Sequence, residues 1–412
     1  MEYGCIGEKL THSFSKDIHS YLADYSYELK ELTRDELPLF MKAKDFKAIN
    51  VTIPYKQEVI PFLDEIDEVA KKIGAVNTIV NKNGRLFGFN TDFFGLSSLI
   101  KKLDISLNNK KVLILGTGGT SKTAYAVAES MGAKEIIKVS RQSGKNVITY
   151  SEAHTAYSDA QIIINTSPMG MYPNTYNSLI DIDAFKNLEG VVDAVYNPLR
   201  SKLVLQATAK GIKAGGGLYM LVAQAVAAVE KFLGNTLEKT KVDEVFKTIY
   251  DSKQNVVLVG MPGCGKTTVG KKIAKLLDRE FIDTDDEIVK NQNISIPEIF
   301  ERVGESGFRE IETDIINEVS KKQGAIIATG GGAVLKNDNV NMLKQNGRLY
   351  FINRSLEDIP ATESRPLSSD RETLKQRFLE RYGIYKSVCD VKIEPKKSIV
   401  QNAKMIAEDF LK

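Results

Sequence analysis

The segment VVLVGMPGCGKTTVG, Val256–Gly270, constrains the fold of this chain more than any other. Gly260, four residues, then Gly265, Lys266 and Thr267 form a complete phosphate-loop pattern between an apolar, strand-length run and the helix-forming TTVGKKIAKLL. In such a loop the backbone N–H groups cradle phosphates, the lysine reaches the β and γ oxygens, and the threonine hydroxyl can ligate magnesium. The pattern therefore predicts nucleotide contacts from Gly260, Gly263, Gly265, Lys266, Thr267 and Thr268, with Thr267 on the metal. A fortuitous match in a structural turn is disfavoured because both flanking elements are present. The loop does not identify the acceptor. It ordinarily follows the first strand of its domain, yet about 250 residues precede it here, so the chain must hold at least one more domain.

At roughly 100–200 residues per domain, 412 residues predict two or three domains. An apolar fraction of 42% and a charged fraction of 26% are those of an ordinary globular protein. A net charge of +3 gives no reason to expect nucleic acid or an anionic membrane as partner. The cysteines Cys5, Cys264 and Cys389 are scattered without a CxxC pair, which disfavours a disulfide framework or zinc site and points to a reducing, cytoplasmic setting. The start, MEYGCIGEKLTHSFS, lacks the basic and apolar regions of a secretory signal. The most apolar stretch, LYMLVAQAVAAV, carries Gln224 and falls short of the ~20 residues a bilayer span needs, so it predicts a buried helix. The expected partners are small molecules; homo-oligomers are compatible with the sequence, which selects no oligomeric state.

Apolar runs of strand length alternate with helix-length segments: KVLILG before TSKTAYAVAESMG, then EIIKVS, AQIIINTS and VVDAVY. That alternation predicts an α/β fold with parallel sheets and crossover helices. Polar KKLDISLNNKK marks a boundary near residue 105, and charged LEKTKVDEVFKTIYDSKQN marks another near 250. The expected division is an α/β domain over 1–104 joined by helices in 216–250, a Rossmann domain over 105–215, and a phosphate-loop domain over 254–412.

A second glycine loop follows the strand KVLIL. Gly116, Gly118 and Gly119 fit the opening of GxGxxG, with Ser121 at the third glycine position. A helix N-terminus there favours a pyrophosphate, but an ordinary tight βα turn reads equally well from these residues alone. The next strand ends in Ser140, Arg141 and Gln142. An acid at that place suits the free ribose of NAD, and an arginine suits the extra phosphate of NADP. The absence of a carboxylate favours NADP; the plainer reading is that Arg141 is one more solvated charge.

Seven short stretches in order then make the first 250 residues resemble shikimate dehydrogenase: HSFS at His12–Ser15, NVTIPYK at Asn50–Lys56, GAVNT at Gly74–Thr78, GFNTDFFG at Gly88–Gly95, INTSPMGM from Ile164, VYNPLRSKLV from Val195 and GGLYMLVAQA at Gly216–Ala225. The resemblance implies reduction of 3-dehydroshikimate by NADPH, with Lys56 and Asp92 as the catalytic pair. It implies substrate contacts from Ser13, Ser15, Thr52, Asn77, Tyr196 and Gln224, and cofactor contacts from Gly116, Gly118, Gly119, Ser140, Arg141 and Gly217. Alternation in NVTIP predicts Val51 and Ile53 on one face, Asn50 and Thr52 on the other, with Pro54 ending the strand and Lys56 on a loop. A loop lysine beside an acid suits proton transfer to a forming alkoxide. On spacing alone, a surface lysine and an Asp92 helix cap are the favoured readings; the ordered motifs reverse that. Lys16 stands where the family often has proline. Related enzymes accept quinate, and Arg141 argues for the NADP-linked shikimate type.

The remainder, Asn255–Lys412, resembles shikimate kinase through FIDTDDEI at Phe281–Ile288, GFREIE at Gly307–Glu312, TGGGAV at Thr329–Val334, ESRPLSS from Glu363 and ERYGIYKSV from Glu380. Asp283 and Asp285, two apart, would project to one side of an extended segment. The resemblance implies that Asp283 supports magnesium through water, that Asp285 meets the substrate hydroxyl and acts as base, and that Arg309 and Arg381 grip the substrate carboxylate. Lys266 and a lid residue, Arg365, would surround the transferred phosphoryl group. Gly330, Gly331 and Gly332 would let backbone approach the ligand, Gly331 touching it. Surface ion pairs and a tight turn are the plainer readings. Asp286 reads as a helix-start acid.

Together the halves imply two consecutive reactions, the product of one being the substrate of the other. Competing readings are a sensor that binds both nucleotides without turnover, a dehydrogenase with a structural or regulatory kinase-like domain, and a kinase for another small hydroxylated metabolite. The presence of Lys56, Asp92, Asp283, Asp285 and Arg309 argues against the first, an intact Lys266, Thr267 and acid pair against the second, and the GFREIE and TGGGAV pair against the third.

Overall fold

A computed structural model describes residues 1–10, 13–173, 175, 178–359 and 371–412. His12 of the HSFS motif and the expected lid residue Arg365 lie outside the described residues. The chain divides into two compact units, Met1–Tyr250 and Asp251–Lys412.

The first unit holds two sheets. One comprises β1 (Tyr3–Gly7), β2 (Tyr27–Glu31), β3 (Ala48–Val51), β4 (Glu65–Ile66), β5 (Thr78–Lys82) and β6 (Arg85–Phe89), in the spatial order β2-β1-β3-β5-β6-β4. It is mixed: β1 pairs in parallel with β2 and β3, while β3–β5 and β5–β6 are antiparallel. The tight turn from β5 to β6 is made by Asn83 and Gly84, both at positive φ (54° and 84°), the Asn-Gly chemistry that suits a two-residue hairpin. The chain leaves β3 at Val51 and turns at once, the Tyr55 amide donating to the Thr52 carbonyl. The expected alternation through Ile53 is therefore not realised: Val51 is buried, whereas Ile53 is 70% exposed. Lys56 falls in the turn, as the proline predicted.

The second sheet comprises β7 (Lys111–Leu115), β8 (Glu135–Ser140), β9 (Val147–Thr149), β10 (Ile162–Asn165), β11 (Gly190–Asp193) and β12 (Lys213–Gly215), ordered β12-β11-β10-β7-β8-β9. Every pairing is parallel. Both faces are buried: Val112, Ile114, Ile162 and Ile164 enter one core, and Leu113, Leu115, Ile163 and Val191 the other. Strand order reverses between β7 and β10, so a crevice opens beyond their carboxyl ends, where doubly wound sheets bind ligands. LYMLVAQAVAAVEKFL forms a buried helix, Leu218–Leu233, closed by Gly234 at φ 69°. It packs on the helix Thr91–Lys102, where a Cβ on Gly95 would sit 2.6 Å from the Met220 carbonyl oxygen. The charged segment near residue 250 is itself a helix, Lys241–Lys253, with Val245 and Ile249 buried. Among the described residues no helix is long and apolar enough to cross a membrane.

The second unit is built on β13 (Asn255–Val259), β14 (Phe281–Asp283), β15 (Ile326–Ala328), β16 (Gly347–Ile352) and β17 (Val391–Ile393), all parallel, in the order β14-β15-β13-β16-β17. The wholly buried NVVLV of β13 is central. The phosphate loop leaves its carboxyl end, with Gly260, Gly263 and Gly265 at φ 145°, 80° and 102°, conformations that a side chain would strain. Asp283 is the last residue of β14 and caps the helix Thr284–Gln292, its Oδ1 accepting from the Asp285 amide at 3.0 Å. Asp285 is thus in the first helical turn, and the two acids do not share one face of an extended strand. A short acid that can bond the amide two residues on stops the strand and starts the helix.

Candidate active sites

In the first unit, Lys56 and Asp92 come together from different elements. Asn90, not Asp92, caps the helix Thr91–Lys102, its side chain accepting from the Phe93 amide at 3.1 Å. That leaves Asp92 free in the first turn, where the helix N-terminus favours its charge. Lys56 Nζ donates to Asp92 Oδ2 at 2.6 Å, with the side chains only 13% and 8% exposed.

Lys56 also lines two cavities. The larger, about 560 Å³, runs along Gly116, Gly118, Gly119 and Thr120 to Ser140 and Arg141. Gly118 has no atom within 4 Å of where a Cβ would stand, so its backbone is open to a ligand. Among the described residues no aspartate or glutamate lines this cavity, while Lys56 and Arg141 do. The smaller, about 230 Å³, is walled by Ser15, Thr52, Asn77, Asp92, Tyr196 and Gln224. Thr166, Ser167 and Pro168, just beyond β10, border both cavities.

Asn77 organises the smaller cavity. Its Oδ1 accepts from the Thr91 amide at 2.7 Å, and its Nδ2 donates to Thr91 Oγ1 at 3.1 Å and to Gln224 Oε1 at 3.4 Å. Ser13 does not line the cavity; its Oγ accepts from the Ser15 amide at 3.2 Å and so holds the serine that does. Gly217, expected at the cofactor, lines the smaller cavity instead, and a Cβ there would lie 2.2 Å from the Ala194 carbonyl oxygen.

Two groups escape sequence reasoning. Asn50 lines the smaller cavity, held by the buried Tyr27 hydroxyl, which donates to its Oδ1 at 2.7 Å. Asp193, fully buried at the end of β11, accepts from Asn165 Nδ2 at 2.8 Å, the Val195 amide at 2.9 Å and Ser201 Oγ at 2.5 Å. Burial pushes its carboxyl up to about 6 against those bonds. It ties the loop beyond β10 to the segment that carries Tyr196. No spacing rule links Asp193 to Asn165 or Tyr27 to Asn50; only the strand order does.

In the second unit, Lys266 is 8% exposed and donates to the carbonyls of Gly260 and Met261 at 2.9 and 3.0 Å. Thr267 Oγ1 donates to Asp283 Oδ2 at 2.7 Å. That hydroxyl and carboxylate are the hard oxygen donors magnesium takes when it keeps most of its waters, so the pair fits the ion. Among the described residues no group of three or more His, Cys, Asp or Glu could hold a metal ion. Thr268 is exposed on the same helix. Burial pushes the Asp285 carboxyl up to about 6, with the Asp283 charge adding to the shift and Lys266 opposing it.

The helix Ile296–Ser320 breaks at Gly304 (φ 69°), and Arg309 sits just past the break. Arg309 Nη1 donates to Glu312 at 2.7 Å and Nη2 to Glu305 at 3.1 Å. Arg381, 4% exposed, donates to the Gly331 carbonyl at 3.3 Å, which the Tyr385 hydroxyl also bonds. The glycine triplet makes room for the chain's own side chains as well as for any ligand. A Cβ would meet Asp285 Oδ1 at 2.7 Å on Gly330, Pro262 at 2.7 Å on Gly331, and the Arg309 guanidinium at 2.2 Å on Gly332. Glu312, 1% exposed, is the residue the sequence reading passed over. Its position three after Arg309 on a helix was the available signal. Its Oε1 is buried with no hydrogen-bond partner among the described residues, and burial raises its pKa, with Arg309 opposing. Arg377, one turn before Arg381, adds a further guanidinium; burial and then Arg381 hold its pKa down.

A doubly wound sheet with a glycine loop, joined to a lysine–aspartate pair in a polar cavity, defines a dinucleotide-linked dehydrogenase; the second unit defines a phosphate-loop kinase fold. Residues 5–79 match the shikimate dehydrogenase substrate binding domain, and residues 262–412 match shikimate kinase. The shikimate dehydrogenase (NADP(+)) of Clostridium perfringens is 35% identical over 265 residues, 60% of this chain and 97% of that protein. The solved structure of a chorismate mutase/shikimate 5-dehydrogenase fusion from Clostridium acetobutylicum superposes with a TM-score of 0.57 at 35% identity, covering 60% of this chain and 96% of that one. The Thermus thermophilus shikimate 5-dehydrogenase, solved with NADP(H) and shikimate, gives 0.54 at 27% identity, covering 60% of this chain and 99% of that one. The chain belongs to the shikimate dehydrogenase family and carries a shikimate kinase domain after it.

Proposed function

We propose that the chain is bifunctional. Met1–Tyr250 reduces 3-dehydroshikimate to shikimate with NADPH, and Asp251–Lys412 phosphorylates shikimate on its 3-hydroxyl with Mg-ATP. The observation that carries the first half is Lys56, which lies in the walls of both cavities and is aimed by Asp92 at 2.6 Å. A group placed there reaches both the donor and the acceptor of a hydride.

NADPH fits the larger cavity, whose open Gly118 backbone and acid-free wall suit pyrophosphate and a ribose phosphate. The nicotinamide supplies the hydride. Lys56 stabilises the negative charge gathering on the substrate oxygen and hands it a proton, while Asp92 holds the ammonium in place. Ser15, Thr52, Asn77, Tyr196 and Gln224 meet the hydroxyls and carboxylate of the substrate. A ligand without those groups forgoes the hydrogen bonds that these side chains offer, in a site where Asn77 and Gln224 are 3% and 8% exposed, and is selected against. Arg141 at the far end of the cavity favours the NADP-linked reaction.

In the kinase unit, Asp285 accepts the proton of the attacking hydroxyl, a task suited by its carboxyl at about 6. Arg309 and Arg381 bind the substrate carboxylate, and the Glu312 side chain fixes the Arg309 fork. Thr267 and Asp283 would hold magnesium, which neutralises phosphate charge during transfer. Lys266 leaves the Gly260 and Met261 carbonyls for the phosphates.

Reciprocal inactivation tests the reading. Lys56→Ala should abolish NADPH oxidation with 3-dehydroshikimate and spare shikimate phosphorylation, and Lys266→Ala should do the reverse. Loss of both activities from either change, with the fold intact, would remove the two-site reading. A kinase unit inert in the wild-type chain would leave it a structural or regulatory module.

A further inference from the structure

The larger cavity ends beyond β8, and its end wall has a second polar residue that neither the glycine loop nor Arg141 accounts for. Strand β9 pairs in parallel with β8 so that Ser140 faces Thr149. The next residue on each strand, Arg141 and Tyr150, therefore leaves the carboxyl edge of the sheet side by side, and both line the cavity. Tyr150 is fixed there. It opens the helix Tyr150–Thr155 directly after a capping box, in which Glu152 Oε2 accepts from the Thr149 amide at 2.6 Å and from Thr149 Oγ1 at 2.8 Å. Its ring packs on the core beneath with Ile148 and Tyr157.

Both polar ends are uncommitted. Among the described residues, Arg141 makes no ion pair, and neither its guanidinium nor the Tyr150 hydroxyl has a hydrogen-bond partner. Glu152, the acid closest in sequence, is engaged in its cap. Burial raises the phenol's pKa, with the Arg141 charge opposing, so the hydroxyl is a donor at neutral pH. A guanidinium and a phenol donor that line one cavity, neither with an acceptor among the described residues, make a site for an anion.

We propose that Tyr150 is a specificity-determining residue of the dehydrogenase: its hydroxyl and the Arg141 guanidinium jointly bind a phosphate on the 2′-oxygen of the adenosine ribose. The proposal rests on the NADPH-linked reading above and deepens it.

The test is Tyr150→Phe in the full chain, which removes only the hydroxyl. A hydrogen bond to a charged group is worth enough to raise the Michaelis constant for NADPH about tenfold or more, while that for NADH moves less than about twofold. Calorimetric affinity for 2′,5′-ADP should fall by the same factor, and that for 5′-AMP should not. Unchanged NADPH and 2′,5′-ADP values in an otherwise active variant would overturn the role of Tyr150 and leave the NADPH reading standing. Equal losses with both dinucleotides would also overturn it, since a packing defect spares neither. If the wild-type chain binds 2′,5′-ADP no better than 5′-AMP, the NADPH reading fails, and the proposal with it.

Discussion

Replacing Lys56 with alanine deletes a charged side chain that lines both cavities of the first unit. A positioned general acid typically contributes about 10²–10⁴ in rate, or roughly 3–5 kcal/mol of barrier at 1.36 kcal/mol per decade. The same change strips Asp92 of its partner at 2.6 Å, with 8% of its side chain exposed. Orphaning one member of a fully buried pair costs about 3–5 kcal/mol. Asp92 keeps the helix N-terminus, worth about 0.3–1 kcal/mol, and the pair retains some solvent, so about 2 kcal/mol of lost stability is expected for this unit. That corresponds to a fall of roughly 4–8 °C in its own unfolding transition. The assay is steady-state NADPH oxidation with 3-dehydroshikimate, run well below that transition and paired with a thermal melt. Asp92→Asn and the double variant complete a cycle; because the two groups act as a unit, the double variant should lose far less than the product of the single losses. A fall in kcat of less than about tenfold for Lys56→Ala in a folded protein would refute the proton-donor role.

Other consequences concern the kinase unit. With the Asp285 carboxyl at about 6, kcat/KM for shikimate should fall as pH drops through that value, because the protonated acid cannot accept the hydroxyl proton. Asp285→Asn should remove that limb along with about 10²–10⁴ of the rate, and a profile identical to wild type would exclude Asp285 as base. Glu312→Gln takes the charge from the buried partner of Arg309, so KM for shikimate should rise about tenfold while affinity for ATP holds; an unchanged KM would show that Arg309 needs no anchor. Gly332→Ala places a methyl within 2.2 Å of the Arg309 guanidinium and should raise the same KM with β13 and its loop intact, as nucleotide binding would report.

The parallel sheets were legible because strand and helix periods alternate over most of the chain, and burial on both faces of β7, β10 and β11 demands continuous apolar runs. The phosphate loop was legible because three of its glycines take φ values reserved for glycine. What escaped was of two kinds. At element ends, a local cap overrides the strand period: Asp283 starts a helix and so turns Asp285 off the expected face, and Val51 ends β3 before Ile53 can join its core. At long range, partners come from strands distant in sequence. Asn77 bonds Gln224, Tyr27 bonds Asn50, and Asp193 bonds Asn165, none at a spacing that a periodic reading could connect. The glycine triplet shows a third limit, since composition cannot tell room for a ligand from room for Asp285, Pro262 and Arg309.

One coupled measurement tests most directly whether both sites of the chain are competent. Purified full chain is mixed with 3-dehydroshikimate, NADPH, ATP and magnesium, and the products are separated over time. Two competent sites on one chain predict NADPH loss followed by shikimate 3-phosphate, with shikimate as a transient and no phosphorylated product when NADPH is withheld. NADPH oxidation that stops at shikimate would contradict the kinase half of the account. A failure to oxidise NADPH, with added shikimate still phosphorylated, would contradict the dehydrogenase half.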